Sequence, residues 1–170
     1  EAVDLASISE PDEFAGLPEP ELLSRATTAA GLSLYDEHME TLSTDERIRM
    51  AKACEGAALG FDARVNNSDG ASLSTRIGQL ALANSYGFEG SYPATSISLM
   101  VEAIADDADG KKRNGYWYSA ERSLHRLMDP EEIGRIAARR TIDQLGARKI
   151  ATRQSPVVFE PMMTVALMGD

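Results

Sequence analysis

The sequence holds a single cysteine, Cys54, so an internal disulfide is excluded. That suits a reducing compartment, and a cytoplasmic protein is expected. Histidine is almost as scarce. His38 and His125 are the two present, and neither has a His or Cys three or four residues on, the spacing of many metal sites. No run approaches the roughly 18 continuous apolar residues of a membrane-spanning helix. The opening EAVDLASISE is acidic and lacks the charged-then-apolar pattern of a secretory signal. It also lacks an initiator Met, so the chain reads as an excised or processed piece. Neither G-x-x-x-x-G-K nor G-x-G-x-x-G occurs, which leaves no phosphate loop. Net positive charge is missing too: the formal charge is -10, and such a surface repels a phosphate backbone. Neither nucleic acid nor a membrane is an expected partner.

What is present fits one globular unit: 170 residues, 43% of them hydrophobic, enough to bury a core without staples. Residues 1–42 are rich in Pro, Glu and Asp and read as an irregular arm or linker with one short helix, Pro20 lying near its first turn. Residues 43–170 read as an α+β portion. Ser43 and Glu46 have capping-box spacing. Behind them Met50, Ala51, Cys54, Ala57 and Ala58 fall on one helical stripe, and Gly60 stops it.

From about Arg64 to Ser119 the period changes to two. Ile97, Leu99, Val101 and Ala103 share one face, and Ser96, Ser98 and Glu102 the other. STRIGQ and QLALANS alternate in the same way. Asp69-Gly70, Tyr86-Gly87, Glu89-Gly90 and Asp109-Gly110 are turn signals, which predicts an antiparallel meander of about four or five strands. Asp129 as N-cap, Pro130 at the first helical position and Glu132 closing a capping box predict a second long helix ended by Gly146. Ile133, Ile136, Ala137 and Thr141 face inward along it. PVVF then reads as a short buried strand and Pro161 as the start of a final apolar helix. The fold class is α+β: a mostly antiparallel β meander with flanking helices, ending in a strand–helix unit.

Few side chains carry obvious chemistry. Both histidines sit among polar neighbours and read as solvated. Cys54 sits on an apolar stripe, where a thiol is inert. ADDADGKKR fails as a calcium loop, because Ala105 and Tyr116 occupy its first and twelfth positions. Tyr116 and Tyr118 share one strand face and Trp117 the other, which suits sheet core better than a stacking platform. The basic residues Arg139, Arg140, Arg148, Lys149 and Arg153 read as a solvated helix end, with an anchor for acidic groups as the alternative.

Four segments stand in a fixed order: AGLPEPELL, NSDGAS, ANSYGF and ARKIATRQSPVVFEP. Together they resemble the PmbA/TldE branch of the TldD/PmbA family, long called modulator of DNA gyrase. The resemblance runs from FAGLPEPELL to the last residue, and family members are considerably longer. It implies the latter part of an N-terminal domain, with the C-terminal domain absent. In that family TldD carries HExxxH on a helix that follows a strand resembling PVVF. Its histidines would ligate zinc and its glutamate would serve a metal-bound water as base. The PmbA/TldE partner lacks the motif. The heterodimer is a protease implicated in processing microcin precursors and degrading an unfolded antitoxin.

On this chain the motif has two registers. In one, Glu160 and Val165 stand where histidines belong and Pro161 where the base belongs. In the other, Gly169 takes the first histidine place and Asp170 the glutamate's. Neither supplies the first imidazole, so no catalytic residue, metal or cofactor is expected. The resemblance implies a non-catalytic subunit, with a TldD-like subunit and an extended or unfolded peptide as partners and self-association of this piece. The alternatives are a zinc peptidase with ligands outside this chain, and a protein-binding modulator of gyrase.

Overall fold

The structure is a computed structural model describing residues 2–10, 12, 14–23, 31–108 and 110–169. Among the described residues the elements run α1 (Ala2–Ile8), a 3-10 turn (Pro20–Leu22), α2 (His38–Thr41), α3 (Thr44–Leu59), β1 (Val65–Ala83), β2 (Glu89–Asp106), β3 (Lys112–Glu121), a 3-10 turn (Leu124–Arg126), α4 (Pro130–Ile142) and α5 (Pro161–Met168). The class is α+β. No helix among the described residues is long and apolar enough to cross a membrane.

The caps behave largely as their residues dictate. Ser43 Oγ accepts the Glu46 N–H, and the Glu46 carboxylate accepts the Ser43 N–H, closing the box at the start of α3. Asp129 accepts the N–H groups of Glu131 and Glu132 at the start of α4, with Pro130 at its first position. Glu132 does not close a box there. Its carboxylate takes Arg135 instead, one turn along, because a guanidinium in reach competes with the cap.

The sheet is antiparallel in the order β1-β2-β3. It corrects the expected four or five strands to three, two of them very long. STRIGQ and QLALANS are one strand. Asp69-Gly70 makes no hairpin: it sits inside β1 at a register shift, where Gly70 has φ +100°. A bulge and a tight turn make the same demand on a glycine backbone. The true β1–β2 turn lies at Asn84–Phe88. There Asn84 Oδ1 accepts the Tyr86 and Phe88 N–H groups and Gly87 has φ +81°. Glu89-Gly90 belongs to β2. Gly110, φ +77°, donates to the Asp107 carbonyl in the β2–β3 turn, while Asp109 of that signal lies outside the described residues.

Strand alternation sorts the sheet into two faces. Ile97, Leu99, Val101, Ala103 and Ala105 of β2 are buried under the helices with Leu73 of β1 and Trp117 of β3 against them. Met100, Tyr116 and Tyr118 lie on the open face, substantially exposed. Past Thr75 and Ile97 the β1–β2 ribbon continues without β3, carrying exposed Ile77, Leu80 and Leu82.

The core lies where α3 and α4 cross the sheet, and small residues set its spacing. Cys54 and Ala58 of α3 meet Ile133, Ala137 and Ala138 of α4 over Leu99, Val101 and Ala103. Burial first, then the Glu55 charge, pushes the Cys54 thiol up to about 11, which disfavours the thiolate. A Cβ on Gly134 would stand 2.2 Å from the Cys54 carbonyl oxygen, and one on Gly115 would stand 2.7 Å from the Thr141 nitrogen. Thr141 Oγ1 donates to the carbonyls of Ala103 and Ala137, at 3.1 and 3.0 Å, as α4 settles on β2.

Gly134→Ala should therefore destabilise the fold by about 2–3 kcal/mol, the upper range for overpacking, since backbone itself must move. Gly56, also in α3, has nothing within 4 Å of its added Cβ. Gly56→Ala should stabilise by about 0.5–1 kcal/mol through helix propensity. Urea denaturation of both variants checks the opposite signs.

Candidate functional site

Two regions bear on function: a cavity that gathers both histidines, and the C-terminal helix where the resemblance would put a metal.

The cavity, about 1220 Å³, is lined by residues from three stretches: Tyr35, Asp36 and His38; Ser96 and Ser98 of β2; and Arg122, His125 and Arg126 after β3. His38 and His125 are far apart in sequence and come together because residues 33–42 dock beside the end of β3. Local spacing carried no sign of this.

Asp36 does the docking. Its side chain is only 8% exposed. Oδ2 accepts the Leu124 N–H at 2.9 Å, and Oδ1 accepts the His38 N–H at 3.0 Å. Oδ1 also lies 2.9 Å from His38 Nδ1, which directs the ring proton to that nitrogen. The Asp36 N–H donates to Thr95 Oγ1, whose hydroxyl donates to the Arg122 carbonyl. The Leu124 bond, followed by the His38 bonds, holds the Asp36 carboxyl below the ordinary aspartate range against its burial. Met39 and Leu42 sit buried against Ile97 behind it. The aspartate thus staples three segments, and His38, 76% exposed in its side chain, is oriented by it.

A second buried carboxylate works in the same way. Asp107, in the DDADG stretch, accepts the Gly146 and Ala108 N–H groups and pairs with Arg113 at 2.8 Å. These bonds outweigh its burial and hold its carboxyl low. It ties the β2–β3 turn to the end of α4 and is committed to protein donors rather than an ion.

The C-terminal region departs from expectation. Residues 151–160 form no strand, and Val157, Val158 and Phe159 are exposed. A β-branched run becomes a strand only when a neighbour offers a ladder, and neither sheet edge lies against this one. The final helix does form, α5, with Pro161 at its first position. Val165, Leu167 and Met168 are exposed along it.

Of the residues aligned with the zinc motif, Glu160 is the N-cap of α5, and its carboxylate is taken by Arg140 at 2.8 and 3.0 Å. That pairing keeps the Glu160 carboxyl low and the Arg140 guanidinium high. Pro161 and Val165 offer no side-chain donor atom, and Gly169 follows the helix end. Asp170 lies outside the described residues. The histidines belong to the cavity. A zinc set of imidazole and thiolate does not fit this helix, whose one carboxylate among the described residues is engaged by Arg140. Among the described residues no group of three His, Cys, Asp or Glu is placed to hold a metal.

A family model described as the PmbA/TldA metallopeptidase central domain matches residues 37–145, from just after Asp36 to the turn that follows α4. The chain belongs to the PmbA/TldD family. It is 36% identical to metalloprotease PmbA of Escherichia coli O157:H7 over 99% of its length, and 32% identical to the PmbA homologue of Haemophilus influenzae over 93%. It spans 36% and 34% of those relatives, about a third of each. Two solved structures share the fold, both of candidate modulators of DNA gyrase. One, from Bacteroides thetaiotaomicron, has a TM-score of 0.77 at 28% identity over 87% of this chain and 33% of that one. The other, from Thermotoga maritima, has a TM-score of 0.65 at 27% identity over 88% and 32%. The expectation from AGLPEPELL, NSDGAS, ANSYGF and ARKIATRQSPVVFEP is borne out at the level of the family.

Asp36→Ala leaves the Leu124 and His38 N–H groups without their acceptor. It should cost about 1–3 kcal/mol at pH 7. Because the folded carboxyl titrates below its ordinary value of 3.8, this stability is present above that pH and lost as pH falls through the folded value. Denaturation curves for wild type and Asp36→Ala should therefore converge at strongly acidic pH.

Proposed function

We propose that this chain is part of a PmbA/TldE-type, non-catalytic subunit of a heterodimeric, cytoplasmic metalloprotease. Its TldD-like partner would supply the zinc helix, and the substrates would be extended or unfolded peptides. The observation that carries this reading is chemical: the helix standing where the family resemblance puts HExxxH has Glu160, Pro161, Val165 and Gly169 at motif positions and no imidazole. Zinc peptidases hold their metal through nitrogen-rich sets that keep one position open for water. Glu160 offers a single carboxylate, already bonded to Arg140. Family membership supports the general class, and the acidic net charge of -10 favours protein or peptide partners over nucleic acid.

The relatives' name, metalloprotease PmbA, favours a second reading. In it the intact protein is a zinc peptidase whose ligands lie outside these residues. The two differ in what the protein does unaided.

The test uses the intact protein encoded with this chain, purified alone and after co-expression with a homologue carrying HExxxH. Hydrolysis of an unfolded peptide is expected only from the co-expressed pair, which should also co-purify. Hydrolysis by the intact protein alone, abolished by a chelator, would replace the subunit reading with the second one.

A further inference from the structure

Residues 148–159 leave the domain as an exposed, irregular stretch, and the chain comes back to it at the start of α5. Among the described residues, the Arg140–Glu160 pair is the one hydrogen bond or ion pair that joins residues 148–169 to the body of the domain. Each partner is 36% exposed in its side chain.

Three features mark this pair as a built joint rather than an incidental surface bridge. It is bidentate, Nη1 to Oε1 and Nη2 to Oε2, the geometry that fixes direction as well as distance. Glu160 is the N-cap of α5 but makes no side-chain cap, so its carboxylate serves Arg140 instead of its own helix. Arg140 is held from behind, its guanidinium carbon 5.0 Å from the centroid of the Trp117 ring. Trp117 in turn packs against the buried core of the sheet. A continuous chain of contacts therefore runs from core to aromatic ring to guanidinium to the first turn of α5.

We propose that Arg140 is the positioning residue of the C-terminal helix: a salt-sensitive latch, backed by Trp117, that sets where α5 lies against the domain. The proposal does not depend on the subunit reading, since it concerns how this chain holds its own helix. It assigns the basic α4 end a role as an anchor for an acidic group, and that group is Glu160 of the same chain. Val165, Leu167 and Met168 are exposed and Met162 is half-buried, so among the described residues the latch is the one polar hold on the helix beside a small apolar contact surface.

Two features make the test direct. Trp117 is the sole tryptophan, and the sole cysteine is buried. A fluorescent acceptor placed on the thiol of a Met168→Cys variant therefore reports the distance from Trp117 to the far end of α5. Breaking the latch with Glu160→Gln should raise the detached fraction about fivefold, the scale of a well-formed exposed ion pair. Energy transfer should fall and its distance distribution broaden. In the parent, raising salt to about 1 M, where screening acts over about 3 Å, should produce the same fall, and Glu160→Gln should no longer respond to salt. Arg140→Lys keeps the charge but loses the fork, and should fall between the two. Circular dichroism confirms that each variant is folded. Transfer unchanged in Glu160→Gln and flat in salt would overturn the proposal.

Discussion

The architecture depends on how closely α4 can approach its neighbours. Gly134 lets α4 lie almost in backbone contact with α3, and Gly115 lets its far end press onto β3. Thr141 uses that proximity to donate into the sheet, bonding the Ala103 carbonyl of β2. Small residues line the rest of the seam, Cys54, Ala58, Ala137 and Ala138, so close packing rather than bulk does the work. Everything after α4 inherits this placement. Arg139 lies over Phe61 and Arg140 over Trp117 because α4 sits where it does. The start of α5 follows from the position of Arg140.

Buried carboxylates then stitch the periphery to this core. Asp36 fastens residues 33–42 to the segment after β3, and Asp107 fastens the β2–β3 turn to the end of α4. Each satisfies backbone N–H groups that would otherwise be left unpaired on docking, which is costly in a buried setting. The two histidines are drawn to one cavity by the first of these staples, with His38 turned toward Asp36. A paired Asp and His beside a cavity resembles part of a reaction centre. Here the aspartate also accepts the Leu124 and His38 N–H groups at a docking point, so the same carboxylate that orients the ring holds the fold together.

Much of this was legible in the sequence, where local chemistry decides the outcome. Ser43 and Glu46, Asp129 and Pro130 announce their helices because capping involves residues within one turn. Ile97 to Ala103 announce a half-covered strand because their neighbours on the other face are polar. Tyr116, Trp117 and Tyr118 divide between faces as a strand requires. Other features were hidden because distant residues decide them. Asp69-Gly70 serves a bulge, and only its strand partner distinguishes that from a turn. Val157 to Phe159 have strand propensity but no neighbouring ladder. Glu132 prefers Arg135 to the cap. The cavity shared by His38 and His125, and the Asp36 staple to Leu124, join residues more than 80 positions apart, with Asp36 and Leu124 separated by 88. The zinc-motif region was legible in its lack of imidazole. Its exposure and its tether through Arg140 were not.

On the proposed subunit reading, the helix at the motif position does not hold the family's zinc and a partner subunit would do so. Diffraction at the zinc absorption edge from crystals of the intact protein bound to an HExxxH-bearing homologue tests this most directly. The account predicts an anomalous peak coordinated by the partner's histidines and none within bonding distance of Glu160, Gly169 or Asp170. A peak bound by this chain's own residues would contradict it.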